Sequence, residues 1–389
     1  MKICFITNNI SECGGVQRVL TVVANGLADK HEVSIMMTSP YEISKNVVYS
    51  LNNNVKIISD KRTITVKHSF LFLKALRYIN RKYIKFQNIE FLRNIYFPNR
   101  EISNYNDFFK EGRFDVIIGV QARAAAMVSL LDVPGKKIGW MHNNYDAYFN
   151  TPNRFQWRQE LLYNELLPNL DKLIVLTKWH KENYANGLKK KCYIDNIYNP
   201  LSFESAIKSD LNNHRLLFVG RLQYEVKGLE LLVEIIKKIK AFYPNVILDV
   251  VGDGPDAERF KEKAISEDVI TNINMLGMQA DVVKYYLNSD VLLLTSKNEA
   301  FGLVLTEAME CGVPVISFNT EGPSEIIKND LTGYIIENFD VDKFVDKLLL
   351  LIKNDEIRYK MGYNATKRAK EFSIKNILKK WDTIFCEAN

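Results

Sequence analysis

This chain has no long apolar run. None of its 389 residues belongs to an apolar stretch approaching the roughly 20 residues that a membrane-spanning helix requires. Residues 1–7 are strand-like and too short for a signal peptide, so we expect no secretion signal. The hydrophobic fraction of 47% still allows large buried cores, and the length is typical of two domains. The sequence thus predicts a globular protein without a transmembrane anchor.

Cysteine is scarce, and its spacing matches no metal site. The five cysteines are scattered along the chain, at Cys4, Cys13, Cys192, Cys311 and Cys386. An odd number of isolated cysteines is typical of reduced thiols in a cytosol and excludes a disulfide framework. We interpret Cys13 and Cys311, which lie near loops of interest, as small packing residues.

Acidic residues are nearly absent from one segment, 61–100. It holds ten Lys and Arg residues against a single acid, Glu90, although the whole chain has a formal net charge of only +6. Aromatic and aliphatic residues alternate with these cations at helical spacing. Such a segment is attracted to an anionic membrane surface, and we favour that interpretation. An ordinary solvated helix pair and a nucleic-acid surface are the alternatives, and we expect no nucleic-acid partner.

Strand and helix patterns alternate along the chain, which predicts parallel sheets covered by helices on both faces. We predict thirteen strands, at residues 2–7, 32–37, 55–58, 115–120, 137–141, 172–176, 193–197, 214–220, 246–251, 273–276, 291–294, 314–317 and 333–336. The fold class is therefore α/β, with two Rossmann-like, doubly wound domains facing one another across a cleft. Ligands of such sheets bind at the carboxyl ends of the strands.

The predicted domain boundaries follow from this pattern. Residues 1–200 form an N-terminal Rossmann-like domain that carries 61–100 as an insertion. The polar stretch 201–213 is a linker, and 214–368 is a second Rossmann-like domain. The remaining residues, 369–389, are helical, and we expect them to pack back on the first domain.

The segment after the strand at 291–294 carries two acids eight residues apart. Glu299 lies in the loop at the strand's carboxyl end, and Glu307 lies about one turn into the following helix. Between them, Gly302 allows a close backbone approach, and free N–H groups at a helix start favour a negative ligand such as phosphate. Carboxylates can bind the hydroxyl groups of a sugar, and backbone amides can bind the negative charge of a phosphate. Together they predict a nucleotide-sugar site.

Other candidate site residues also follow strands. Gly14 and Gly15 have the form of a phosphate-approach loop but lack the full G-x-G-x-x-G fingerprint, so a tight turn is the alternative. Arg221 and Lys227 flank a strand–loop–helix junction where they can clamp a diphosphate, unless they are ordinary surface cations. His142 follows a strand at the predicted cleft edge, which favours a functional role over a structural one.

One further stretch looks at first like a metal site. Two acids lie in the stretch Gly252-Asp253-Gly254-Pro255-Asp256. A turn that requires glycine, followed by an aspartate that caps a helix, explains this stretch more simply than a metal site does. We therefore predict no metal site in this chain.

Together these motifs resemble the retaining glycosyltransferases of family 4, over nearly the whole chain and most densely from 216 to 333. The resemblance is carried by the glycines at 14–15, by Gly220-Arg221-Leu222 and by Lys227-Gly228. So do Val251-Gly252-Asp253-Gly254, Glu299-Ala300-Phe301-Gly302, Glu307-Ala308 and the turn at 322–327. The resemblance implies the GT-B fold. One departure is that many members place the lysine five residues after the arginine, whereas here the spacing is six.

The resemblance also implies roles for single residues. Arg221 and Lys227 would neutralise the donor diphosphate, with Gly14 and Gly15 close to it. Glu299 and His142, from opposite domains, would contact the transferred sugar and form the catalytic pair. Phe301, Gly302 and Leu303 would offer backbone contacts to sugar and phosphate, and Glu307 would hold the ribose hydroxyls.

The implied activity is transfer of a hexosyl or N-acetylhexosaminyl unit from a nucleoside-diphosphate sugar, UDP-linked, by a metal-independent, cofactor-free front-face mechanism. The expected acceptor is lipid-linked or a cell-surface polysaccharide such as O-antigen, capsule or lipopolysaccharide. The enzyme would then be cytoplasmic and peripherally bound to the inner face of the cell membrane. A sugar-nucleotide epimerase on the same fold and a non-catalytic membrane scaffold are the rival hypotheses.

Overall fold

The computed structural model describes residues 1–12, 14–38, 49–59 and 71–387. Within them the chain forms two compact units. The first comprises Met1–Pro200 and Ile374–Asn389, and the second comprises Leu201–Ser373. Because Cys13 and residues 60–70 lie outside the described residues, the interpretation of Cys13 and the first quarter of the basic segment are not addressed by the structure.

A seven-stranded parallel sheet forms the centre of the first unit, in the order β3-β2-β1-β4-β5-β6-β7. Its strands are β1 Lys2–Thr7, β2 Glu32–Met37, β3 Val55–Ile58, β4 Val116–Val120, β5 Lys136–Trp140, β6 Lys172–Val175 and β7 Ile194–Asn196. The central strands are continuous apolar runs with almost every residue buried. Such runs are expected when helices cover both faces of a parallel sheet.

The helices of this unit alternate with its strands. They are α1 Gly15–Leu27, α2 Leu71–Lys82, α3 Ile89–Tyr96, α4 Asn99–Gly112, α5 Gln121–Ser129, α6 Tyr145–Phe149, α7 Glu160–Leu166 and α8 Lys178–Gly187. Several begin at a side-chain cap: Asn88 accepts from Phe91 N, Asn144 from Ala147 N and Thr177 from His180 N. These bonds satisfy N–H groups that the first helical turn leaves unpaired.

The second unit is built around a six-stranded parallel sheet in the order β10-β9-β8-β11-β12-β13. The strands are β8 Arg215–Val219, β9 Ile247–Val251, β10 Ile273–Gly277, β11 Val291–Leu294, β12 Val315–Phe318 and β13 Gly333–Ile336. The helices are α9 Tyr224–Lys227, α10 Leu229–Lys240, α11 Ala257–Ser266, α12 Val283–Leu287, α13 Leu303–Glu310, α14 Glu321–Ile326, α15 Val341–Lys353 and α16 Asp355–Ala369. Within the described residues, all thirteen predicted strands are present, with their ends shifted by at most one residue.

The strand order in each sheet reverses at one place. In the first unit the chain runs outward from β1 to β3 and then returns to pair β4 with β1 on the other side. The second unit does the same with β8 and β11. At such a switch point the loops leave the sheet in opposite directions and open a crevice at the strands' carboxyl ends. Each unit therefore has one place where its topology favours a ligand.

The last helix, α17 (Ile374–Cys386), belongs to the first unit. Trp381 is fully buried, and its ring centroid lies 5.0 Å from that of Trp140 on β5. The Asp382 carboxylate lies 3.2 Å from His31 Nε2, just after α1. Apolar packing thus attaches the chain's end to its first half.

Residues 201–213, interpreted from the sequence as a linker, lie within the second unit. The Leu201 and Leu211 side chains are buried there. Leu201 N donates to Phe372 O at 2.8 Å, and the buried Arg358 Nε donates to Leu211 O at 2.9 Å. No helix within the described residues is both long and apolar enough to cross a membrane.

Candidate functional site

At the switch point of the second unit, a lysine and a glutamate form an ion pair. Lys227, the last residue of α9, donates from Nζ to Glu299 Oε2 at 2.6 Å. Ser296 Oγ lies 3.3 Å from the same oxygen and donates to it. The two charged side chains are only 21% and 17% exposed, so water screens them little. The site therefore holds a fixed cation and a fixed carboxylate side by side.

Backbone contacts between the two loops hold Lys227 in place. Thr295 Oγ1 donates to Lys227 O at 2.8 Å, and Lys297 N donates to Val226 O at 2.9 Å. Gly228 ends α9 with φ 59°, and a Cβ there would overlap Thr295 O. Glycine is required at this position because it combines a left-handed conformation with a close approach of two backbones. The six-residue spacing from Arg221 thus leaves Lys227 within reach of Glu299.

The loop after β11 ends in a helix start that offers N–H groups. Gly302 precedes α13 with φ 88°, and no side chain caps the helix. Phe301 is buried with its ring against Phe372, and Gly322 packs so closely on the Phe301 backbone that a Cβ would overlap it. Phe301 therefore anchors the loop with its side chain, and only its backbone and those of the next two residues are offered to a ligand. The uncapped helix start favours an anionic ligand.

Glu307 lies on the first part of α13 and is only 1% exposed. Tyr286 on α12 donates its hydroxyl to Glu307 Oε2 at 2.8 Å. This bond fixes the orientation of the Glu307 carboxylate. Tyr286 and Ser296 support the site and were missed by the sequence analysis, because no local motif marks them. Gly322 was identified there only as part of the turn at 322–327, without this packing role.

Arg221 follows β8 and is exposed. Its guanidinium has no hydrogen bond or ion pair within the described part of the chain, which leaves it available to a ligand anion. The neighbouring Gly252 (φ 137°) packs on the Gly220 carbonyl. This contact fixes the turn that supports Arg221.

The acid pair at 253–256 serves that turn. Asp253 Oδ1 accepts from Gly254 N, and Asp256 Oδ2 accepts from Tyr224 N, both at 2.7 Å. The expected capping role of Asp256 is wrong in detail: it is the N-cap residue of α11, but its side chain accepts from the first N–H group of α9, that of Tyr224, instead. Among the described residues, no three acids, histidines or cysteines are grouped as metal ligands.

Three predicted site residues lie in the first unit. Gly14 is the N-cap of α1 with an extended backbone (φ −168°), and Gly15 is the first residue of that helix, which has no side-chain cap. His142 follows β5, is 5% exposed, and has its ring centroid 4.6 Å from that of Trp140. Burial lowers the pKa of His142 to about 3, so the imidazole is neutral at physiological pH. Its Nε2 has no hydrogen-bond partner within the described residues.

The structure therefore brings six of the predicted residues together around one switch point, with Arg221 in the loop after β8. The six are Lys227, Glu299, Phe301, Gly302, Leu303 and Glu307. Gly14, Gly15 and His142 belong to the other unit.

Comparison with known proteins agrees with this architecture. Residues 203–368 match the family model of the group 1 glycosyl transferases. The chain is 26% identical to an uncharacterized glycosyltransferase of Haemophilus influenzae, over 98% of this chain and 99% of the relative. It is also 26% identical to a Campylobacter jejuni enzyme, over 100% of this chain and 99% of the relative. That enzyme is the GalNAc-alpha-(1->4)-GalNAc-alpha-(1->3)-diNAcBac-PP-undecaprenol alpha-1,4-N-acetyl-D-galactosaminyltransferase.

Solved structures show the same fold. The lipopolysaccharide outer core galactosyltransferase WaaB superposes with a TM-score of 0.72 at 20% identity, covering 98% of each chain. TarM superposes with a TM-score of 0.78 at 15% identity, covering 99% of each chain. Two parallel-sheet units, the matching family model and these structural neighbours confirm the family resemblance and the fold class. Residues 203–368 thus match the group 1 glycosyl transferases, and the chain as a whole is a glycosyltransferase with the GT-B fold.

Proposed function

We propose that this glycosyltransferase moves a hexosyl or N-acetylhexosaminyl unit, with retention, from a UDP-sugar to a lipid-linked or cell-surface polysaccharide acceptor. The observation that carries the proposal is the arrangement at the second unit's switch point. The Lys227–Glu299 pair, the uncapped start of α13 and the buried Glu307 all lie on the loops and helices that follow β8 and β11. Charge for a diphosphate and carboxylates for hydroxyl groups are the two features that a nucleotide sugar requires.

Donor binding begins with the diphosphate. Arg221 provides a forked donor and Lys227 a point charge, and both gain a stronger partner when a diphosphate enters. As Lys227 turns to phosphate, Glu299 loses its ion-pair partner and becomes free to accept hydrogen bonds from sugar hydroxyls. The N–H groups of Gly302 and Leu303 add positive potential from the helix start. On this view the charges of Lys227 and Glu299 compensate one another until the donor binds.

Glu307, held by Tyr286, accepts from the ribose hydroxyls. His142, kept neutral by burial, contacts the donor sugar as a hydrogen-bonding group, and Gly14 and Gly15 at the start of α1 lie against the diphosphate. A structure in the TarM series contains alpha-GlcNAc-glycerol and UDP, and a further structural neighbour contains UDP and glucose. These contents support UDP as the nucleotide of this chain's donor.

In the transfer step, the bond between the anomeric carbon and the diphosphate oxygen breaks. The acceptor hydroxyl oxygen bonds to that carbon on the same face, and its proton passes to the leaving phosphate oxygen. Arg221, Lys227 and the start of α13 stabilise the charge that develops on the diphosphate. Since these groups supply positive charge themselves, we propose that no metal ion or other cofactor is required.

We infer the class of acceptor from the exposed side chains of the first unit. Helix α2 buries one face through Leu73 and Leu76 and exposes large apolar side chains on another, at Leu71, Phe72 and Tyr78. The exposed Lys74 and Lys82 accompany them. Apolar and basic side chains on one exposed face favour an anionic membrane. We therefore propose a peripheral enzyme at the cytoplasmic face of the cell membrane, where a lipid-linked acceptor is held.

Not every cation of the basic segment is available for this contact. Arg77 Nε donates to Ile95 O at 2.6 Å, Arg81 donates to Asn153 O, and Lys85 pairs with Glu160. These three side chains help to hold the helices of the first unit together. The surface charge at this face therefore rests chiefly on Lys74 and Lys82.

The proposed function is tested by incubating the purified chain with a panel of UDP- and GDP-sugars and lipid-diphosphate-linked oligosaccharides, with a metal chelator present throughout. The expected product is an α-linked glycoside from an α-linked donor, identified by the anomeric proton coupling in NMR spectra. Conversion of the donor to an epimer without acceptor, or a β-linked product, would overturn the proposal.

A further inference from the structure

Arg368, on the last turn of α16, is a buried arginine that takes no part in the proposed transfer step. Its side chain is only 7% exposed. Nε donates to Ile326 O at 3.1 Å, and Nη2 donates to Glu325 O at 2.8 Å. Nη1 pairs with Glu371. Each nitrogen of the guanidinium therefore has a partner, and two of these partners are backbone carbonyls of α14.

The two carbonyls lie at the C-terminal end of α14. The last carbonyls of a helix have no partner within the helix and need a donor from elsewhere. A guanidinium can supply two such donors at once, because its N–H groups lie in one rigid plane. Arg368 therefore fixes both the position and the orientation of this helix end.

The other end of α14 supports the donor loop, which we define as residues 299–303. Gly322, the second residue of α14, donates from its N–H to Glu299 O at 2.9 Å. A Cβ at Gly322 would lie 2.5 Å from Phe301 Cα, so the two backbones are in direct contact. Gly322 is separated from Ile326 by only about 6 Å of helix. Because α14 is so short, a shift at its C-terminal end moves the donor loop as well.

A second series of contacts joins Arg368 to the same loop. Its guanidinium lies 4.9 Å from the centroid of the Phe372 ring, within the range of a cation–π interaction. The fully buried Phe372 ring meets that of Phe301 at 5.9 Å between centroids and 85° between planes. Aromatic pairs favour this edge-to-face geometry. Phe372 is itself held by its backbone, since its carbonyl accepts from Leu201 N at 2.8 Å.

We infer that Arg368 is a positioning residue for the donor loop. Through α14 it holds the backbone of Glu299, and through Phe372 it holds the ring of Phe301. Arg368 acts through these neighbours and needs no contact with the donor itself. The inference deepens the proposed function and rests on it for the role of Glu299 at the sugar.

The informative substitution is Arg368→Lys. It keeps the positive charge but cannot bond both carbonyls of α14 with one planar group. Arg358, earlier on α16, offers a matched control. It is 2% exposed, donates to Leu211 O and Leu351 O, and pairs with Asp355. None of these partners belongs to α14 or to the donor loop, so Arg358→Lys makes the same chemical change away from the site.

The kinetic test compares kcat for sugar transfer at a temperature where both variants are folded. Arg368→Lys should lower kcat roughly tenfold to a hundredfold, because a misplacement of about 1 Å has an effect of this size. Arg358→Lys should lower kcat less than about threefold, although it also loses stability. An unchanged kcat in Arg368→Lys, or an equal loss in both variants, would overturn the inference.

A double variant separates positioning from a general structural role. If Arg368 acts through Glu299, its substitution should matter less once the Glu299 carboxylate has been removed. Adding Arg368→Lys to Glu299→Gln should therefore lower kcat by a clearly smaller factor than adding it to the wild type. Two effects that simply multiply would show that Arg368 does not act through Glu299.

Amide hydrogen exchange tests the positioning without any substrate. Peptides covering 297–305 and 319–327 are followed by mass spectrometry in the wild type and in both variants. Exchange in these segments should become at least about tenfold faster in Arg368→Lys and stay unchanged in Arg358→Lys. Wild-type protection of both segments in Arg368→Lys would contradict the inference. If the wild type transfers no sugar, the proposed function fails, and hydrogen exchange still decides whether Arg368 holds the loop.

Discussion

Lys227 and Glu299 lie 72 residues apart in sequence and form an ion pair 2.6 Å long at the switch point of the second sheet. The cation that we assign to phosphate and the carboxylate that we assign to sugar thus neutralise one another. Mutating either residue removes one charge and leaves the other unpaired. The effect on phosphate binding and the effect on sugar binding can be separated by experiment.

Loss of Lys227 should weaken nucleotide binding more than loss of Arg221. Each alanine substitution removes a charged hydrogen bond of about 1.5–3 kcal/mol, which lowers UDP affinity roughly tenfold to a hundredfold. Lys227→Ala also leaves the Glu299 carboxylate unpaired beside the diphosphate. Isothermal titration calorimetry should therefore rank wild type above Arg221→Ala and Arg221→Ala above Lys227→Ala. Adding Glu299→Gln to Lys227→Ala should recover part of the loss, and no recovery would exclude the repulsion argument.

Glu307 and Glu299 should differ in their kinetic effects. Glu307→Gln should raise KM for the donor, because Glu307 is assigned to ribose, whereas Glu299→Gln should mainly lower kcat. Tyr286→Phe is the companion variant, since it keeps the carboxylate but frees it from the hydroxyl that holds it. We expect its KM to lie between those of wild type and Glu307→Gln. Steady-state assays that give the two glutamate variants the same kinetic defect would contradict the division of roles.

Removing the Glu307 carboxylate should also cost stability. Glu307→Ala leaves the buried Tyr286 hydroxyl without its acceptor, and an unpaired buried donor costs about 1–3 kcal/mol. The double variant Glu307→Ala/Tyr286→Phe removes both partners and should be more stable than Glu307→Ala alone. Chemical denaturation followed by tryptophan fluorescence and circular dichroism checks the order. Equal stability of the single and double variants would show that leaving the Tyr286 hydroxyl without this acceptor costs nothing.

His142 should make the protein less stable in acid. Its folded-state pKa is lowered to about 3 by burial, while an unfolded histidine titrates near 6.5. Between these values the unfolded state binds a proton that the folded state does not, so the free energy of unfolding falls as the pH falls from about 6.5 to about 3. The slope from this one residue approaches about 1.4 kcal/mol per pH unit. The melting temperature of His142→Gln should fall less steeply than that of wild type over this range.

Binding to membranes should depend on Lys74 and Lys82. Each basic residue near an anionic surface contributes about 1 kcal/mol, so the Lys74→Glu/Lys82→Glu variant should lose at least thirtyfold, or about 2 kcal/mol, in affinity for anionic liposomes. Lys261→Glu/Lys360→Glu, at exposed positions of the second unit, carries the same charge change as a control. Sedimentation at low and high salt measures both variants. Equal binding by the two variants, or strong binding to neutral vesicles, would contradict membrane docking through α2.

Much of the fold is encoded locally, and this explains why the strands could be predicted. β1, β4 and β11 are short, continuous apolar runs ended by polar or glycine residues, and a buried parallel strand leaves this pattern in any context. Glu299 and Glu307 could be placed because the strand, loop and helix that carry them are consecutive in sequence.

The support of the site could not be predicted in the same way. Tyr286 reaches Glu307 from another helix, and Gly322 packs on Phe301 from a third. Contacts between distant segments depend on strand order and packing, which cannot be predicted from the hydrophobic periodicity of the sequence. The Asp256 side chain shows the same limit: capping of its own helix was predicted from local sequence, but the side chain accepts from Tyr224 N at the start of α9 instead.

The position of α17 has a consequence for how the protein is made. The first unit is interrupted in sequence by the whole of the second and is completed only by residues 374–389. On the ribosome, the sheet of the first unit emerges early, yet Trp140 gains its contact with Trp381 only after the whole second unit has been synthesised. A nascent chain stalled before residue 374 carries a finished second unit and an unfinished first one with an apolar face uncovered. Premature termination near the C-terminus is therefore as damaging to the N-terminal half as a deletion within it, and such truncated chains are natural substrates for chaperones and proteases.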